Sequence, residues 1–165
     1  MLFPTLPPDA RLWIFTADRS LSESDQDHLR DTLVGFVAQW TSHGRSVPGD
    51  VALTEDRFVL VAAHLAGGVS GCGIDSLVHA VEQAGSAIGI QWVDGLHIVF
   101  RDEAGAVEVL PRPAFRQRVR DGAVTAETPA FVTTLDTVGA LREGGLARPA
   151  GSTWHGRTFR IPEPA

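Results

Sequence analysis

The feature that most constrains this chain is an alternation of apolar periods between residues 11 and 101, where short extended runs and helical stripes succeed one another. "RLWIF" (11–15) alternates as a strand does, with the β-formers Trp13, Ile14 and Phe15. "LSESDQDHLRDTLVGFVAQWTSHG" (21–44) then sets Leu29, Leu33, Phe36, Val37 and Trp40 at helical spacing. Ser22 or Ser24 supplies a cap and acids fill the first turn, while Gly44 supplies a C′ stop with Pro48 beyond it. "DVAL" and "RFVLVAA", joined by the polar turn "TEDR", read as a hairpin. A second helix follows, with Ile74, Leu77, Val78, Val81, Ala84 and Ile88 in one apolar stripe. "LHIVFRD" and "AVEVLP" form a further strand pair that turns at Gly105.

The order strand, helix, strand, strand, helix, strand predicts an α+β fold with a ferredoxin-like (split βαβ) core, two helices covering one face of an antiparallel sheet. Past that core, "PAFRQRVRDG" reads as a short basic helix, "AFVTTL" as a strand and "TVGALREGG" as a helix, forming a C-terminal extension. The tail "TWHGRTFRIPEPA" has no period. At 165 residues the chain fits a single domain, 1–165, able to bury roughly 70% of its unfolded surface.

Composition removes several functions. The apolar runs are too short to span a bilayer, and the proline-rich start lacks the basic segment of a secretory signal. One cysteine permits no internal disulfide, which together with the missing signal points to the cytoplasm. The formal net charge is −6, and all fourteen basic residues are arginine. The absence of lysine, asparagine and tyrosine matches a GC-rich genome, and the net acidity disfavours generic nucleic-acid binding. Without lysine there is no Walker A loop, whose lysine neutralises the β and γ phosphates. Gly67, Gly68, Gly71 and Gly73 do not fit G-x-G-x-x-G, and Cys72 breaks G-x-S-x-G. A lone cysteine and the lack of His-Glu-x-x-His leave no metal site or cofactor to read. The partner stays open, a homo-oligomer included.

Two groups of side chains carry candidate chemistry. At 100° per residue, Cys72, Asp75 and His79 fall within about 60° of one another, opposite the apolar stripe. A thiol at a helix N-terminus beside a carboxylate and an imidazole would suit a nucleophile, with His79, His43 or His155 as base. The plain alternative makes Cys72 a small buried turn residue, Asp75 a first-turn acid and His79 a solvated residue. His43, in the same vein, closes the first helix against its free carbonyls. The second group is Arg112, Arg116 and Arg120, one helix face at four-residue spacing, which suits phosphate.

"WTSHG" (40–44), "SGCGID" (70–75) and "STWHGRTF" (152–159), with an "LWIF" start, resemble an uncharacterised family of small bacterial proteins often labelled ABC transporter ATPase despite lacking a Walker A motif. Gly73 replaces a usual serine and Gly156 a usual lysine. The resemblance groups the chain without assigning a reaction. The leading expectation is a cytoplasmic binding domain for a small ligand or a protein. The alternatives are a thiol-dependent enzyme using Cys72, and a phosphate or nucleic-acid binder using the Arg112–Arg120 face. The sequence leaves open whether the chain is an enzyme.

Overall fold

The computed structural model describes residues 1–164. In chain order the elements are β1 (Arg11–Thr16), α1 (Glu23–Ala38), β2 (Thr41–Ser42), β3 (Arg45–Ser46), β4 (Gly49–Thr54), β5 (Phe58–Ala63), α2 (Gly71–Ser86), β6 (His97–Arg101), β7 (Val107–Pro111), α3 (Arg112–Arg120), β8 (Pro129–Phe131), α4 (Val138–Gly144), β9 (Ala147–Pro149), a 3-10 turn (Ala150–Ser152) and α5 (Trp154–Thr158). The chain forms two compact units: Met1–Val93 with Leu135–Glu143, and Asp94–Thr134 with the residues from Gly144 onward. Among the described residues no helix is long and apolar enough to cross a membrane.

In the first unit β1, β5 and β4 make an antiparallel sheet in that order, with Val61 of β5 opposite both Trp13 and Val51. Every residue of β5 is buried, as its central place and near-continuous apolar run require. Val59, Val61 and Ala63 share a core with Leu29 and Leu33 of α1 and Leu77, Val81 and Ala84 of α2, so both helices cover one face as expected. Each fully buried leucine or valine contributes about 1.5–3 kcal/mol. α1 begins in a capping box: the Ser22 hydroxyl accepts from the Asp25 N–H, and Asp25 accepts from the Ser22 N–H, each at 3.0 Å. Arg19 donates to the same carboxylate at 2.6 Å. That bond, with the Ser22 N–H, holds the carboxyl well below the usual aspartate range. On β4, the Asp50 side chain accepts from the Val51 N–H at 2.8 Å.

Two expectations are corrected here. The strand 97–101 does not complete a sheet beside β1; the β1 margin carries only isolated bridges, Ala17 to Trp92 and Arg11 to Thr137, among the described residues. β6 instead joins a second antiparallel sheet, of order β7-β6-β8-β9. The fold is α+β with several sheets. Gly44 does not end a helix, since α1 stops at Ala38 and Gln39 caps it. His43 (φ 50) and Gly44 (φ 73) are the two turn residues of the β2–β3 hairpin, both in the left-handed region that such a tight turn requires. His43 therefore does not close α1.

In the second unit α3 leaves β7 directly, its first turn holding Pro113, which lacks the N–H that would go unused there. Phe115 is fully buried against Phe100, 5.2 Å between ring centroids, and against Phe159 at 4.8 Å. α5 lies so close to the 3-10 turn that a Cβ on Gly156 would stand 2.8 Å from the Gly151 carbonyl oxygen. It ends in a Schellman motif, the Ile161 N–H bonding the Gly156 carbonyl at 3.0 Å and the Arg160 N–H that of Arg157 at 3.4 Å. The left-handed position of that motif, ordinarily glycine, is Arg160 at φ 49.

Candidate functional site

The second unit carries a cleft of about 580 Å³ lined by Arg116, Arg120, Arg160 and Thr158, with apolar walls from Val119, Phe159 and Pro162. Helical periodicity puts Arg116 and Arg120 one turn apart on α3, and the Schellman turn carries Arg160 to the same place. The Arg116 guanidinium lies 5.5 Å from the Phe159 ring centroid. Among the described residues no carboxylate lines the cleft and none of the three guanidinium groups has an ion-pair partner. Two carboxylates near α3 have partners of their own: Arg118 holds Glu108 in a two-point pair at 2.6 and 3.1 Å, and Asp121 accepts from the Gln117 amide at 2.8 Å. In an acidic chain this is a local concentration of unpaired positive charge. Planar forks with several N–H donors suit the oxygens of a phosphate.

Arg112, though on the spacing of Arg116 and Arg120, is not among the cleft residues. Its guanidinium lies 5.6 Å from the Trp154 ring centroid, and both its Nε and the Trp154 indole nitrogen are buried without a hydrogen-bond partner. Trp154 stacks on His155 with centroids 4.0 Å apart. His155 is only 1% exposed, and its Nδ1 lies 2.7 Å from the Thr153 hydroxyl. That hydroxyl gives its one hydrogen to the Ala150 carbonyl, at 2.9 Å, so both bonds form together only when Nδ1 carries the imidazole proton. Burial, and then the nearby Arg112 charge, push the His155 pKa down to about 4. The ring is a neutral packing element, pressed also against Phe115 at 6.3 Å.

The other residues proposed from sequence lie in the first unit. Cys72 occupies the first turn of α2, capped by Ser70, and it is exposed, not a buried turn residue. Asp75 and His79 are exposed as well. Asp75 is one turn from either neighbour, but seven residues of helix separate Cys72 from His79 by about 10 Å along the axis. A direct proton transfer between the two is out of reach. His43, also exposed, sits on its hairpin turn. The "WTSHG" segment does meet "SGCGID": Trp40 donates its indole N–H to the Gly73 carbonyl at 2.9 Å, and the Ser42 hydroxyl accepts from the Ser70 N–H at 2.8 Å. These contacts brace the buried side of the first turn of α2. Among the described residues no group of histidine, cysteine and carboxylate side chains could hold a metal ion.

Sequence reasoning missed Arg160. Its segment has no period, and the usual marker of the turn, a glycine, is replaced by the arginine that lines the cleft. Comparison with protein-family models, with curated proteins and with solved structures found no match.

Proposed function

We propose that this protein acts by binding, and that its ligand is a small phosphate-bearing molecule seated among Arg116, Arg120 and Arg160. The observation that carries the reading is the meeting in one cleft of three guanidinium groups that, among the described residues, have no ion-pair partner and no carboxylate beside them in the lining. The backbone of Arg160 supports it, because a non-glycine residue at φ 49 is held at a cost that concentrates at functional sites. A cytoplasmic setting suits a chain whose single thiol is exposed and unpaired. Calorimetric titration with ethyl phosphate tests the reading. Affinity should fall as salt rises, and the double variant Arg116→Ala/Arg120→Ala should weaken it at least tenfold, since hydrogen bonds to charged groups contribute about 1.5–3 kcal/mol each. An affinity indifferent to salt, or unchanged in the double variant, would remove the proposal.

A second reading, a thiol-dependent enzyme, has the exposure of Cys72 at the start of α2 in its favour. It requires alkylation of native Cys72 faster than that of the same thiol in the urea-unfolded chain. An equal or slower rate excludes it.

A further inference from the structure

Beside the arginine cleft lies a second groove of about 260 Å³, and Val119 and Pro162 belong to the walls of both. The two cavities differ in chemistry. The first is lined by three arginines; the second is largely apolar, with Val124 and Ala126 in its floor, and its charged members are the carboxylates Glu127 and Glu163. A ligand that enters both must carry its negative charge at one end only, since a second anionic group in the groove would meet those two acids. It must also be apolar where it passes Val119 and Pro162.

We infer that the ligand of this site is a single-chain phosphate monoester, its phosphate among Arg116, Arg120 and Arg160 and its hydrocarbon chain in the groove beneath Val119 and Pro162. The inference rests on the phosphate-binding reading above and adds to it the apolar half of the molecule. At about 260 Å³ the groove has room for one chain of the octyl length and not for two side by side. Each methylene moved from water into the groove should tighten binding about three- to fourfold.

The test compares ethyl phosphate with octyl phosphate, the latter kept below the concentration at which it aggregates, by calorimetry on the full chain. Octyl phosphate should bind at least tenfold more tightly, and Arg116→Ala/Arg120→Ala should weaken both ligands. Thr125→Asp, which places a charge at an exposed position of the groove, should cut the octyl-to-ethyl ratio at least fivefold; should that variant fail to fold, a propyl, butyl and hexyl series on the unaltered protein gives the same reading. Equal affinity for the two phosphates overturns the inference and leaves the phosphate site standing, whereas binding of neither overturns both. Sedimentation with phosphatidylcholine vesicles containing lysophosphatidic acid, a single-chain phosphate monoester, separates the sources of such a ligand. Vesicle capture together with the octyl advantage identifies a membrane lipid, and the octyl advantage without capture identifies a free amphiphile. Capture without that advantage is surface attraction and overturns the inference.

Discussion

Arg116 holds its guanidinium over the ring of Phe159, 5.5 Å from the centroid, and Phe159 is itself fixed in the core of its unit against Phe115. A long, exposed side chain is thereby given an orientation before any ligand arrives. The stacking depends on a planar cation, and so does two-point recognition of phosphate oxygens. Arg116→Lys should therefore weaken ethyl phosphate about five- to tenfold in calorimetry although the charge is conserved, with the thermal midpoint almost unmoved.

Arg160 should show a conflict between stability and binding. A non-glycine residue in the left-handed region costs about 1 kcal/mol, and glycine, the usual occupant of that turn, returns about half of this through its more flexible unfolded chain. Arg160→Gly is expected to raise unfolding stability by about 0.5 kcal/mol in urea melts while weakening phosphate binding several-fold. A variant both less stable and unchanged in binding would show that Arg160 serves the fold alone.

Gly156 is a packing requirement. An alanine Cβ would stand 2.8 Å from the Gly151 carbonyl oxygen and 3.1 Å from that of Ala150, both backbone atoms with little freedom to retreat. Although alanine favours helices, Gly156→Ala should destabilise the protein by about 2 kcal/mol, measurable as a lowered urea midpoint.

His155 predicts a pH dependence. Its pKa is about 4 in the folded chain against 6.5 ordinarily, so between those values the unfolded chain binds more protons. The contribution of the neutral ring is complete above about pH 6.5 and is lost as the pH falls towards 4, a decline of up to about 3 kcal/mol. Urea melts from pH 7 to pH 4 should show this slope. In His155→Gln it should be shallower by about that amount, even though the variant starts from a lower stability.

Elements with their own period were legible in the sequence. The β4–β5 hairpin, the stripe of α2, the Ser22 cap of α1 and the four-residue spacing of Arg116 and Arg120 all depend on neighbours within one element. The misreadings arose where a pattern outlasted its cause. Trp40 keeps the helical spacing of Phe36 but lies beyond the cap at Gln39, buried because its indole reaches Gly73. The two-residue strands beside His43 and Gly44 are too short to show any alternation. The partner of β1 was misassigned because a strand's sequence states that it will pair but not with which sheet. At the cleft the spacing of α3 gave two arginines and misplaced Arg112, whose position in the first helical turn directs it to Trp154. Arg160 and His155 owe their places to backbone turns and burial, which leave no spacing to find.

The carboxylate of Asp50 has a consequence beyond the bond it makes. β4 is the last strand of its sheet, and the Val51 N–H that Asp50 occupies would otherwise be offered to an incoming chain. By keeping that donor engaged and placing a negative charge beside it, Asp50 discourages stray strands from extending the sheet into a fibril seed. One acidic residue is thus expected to raise the concentration this protein tolerates before its copies begin to stick.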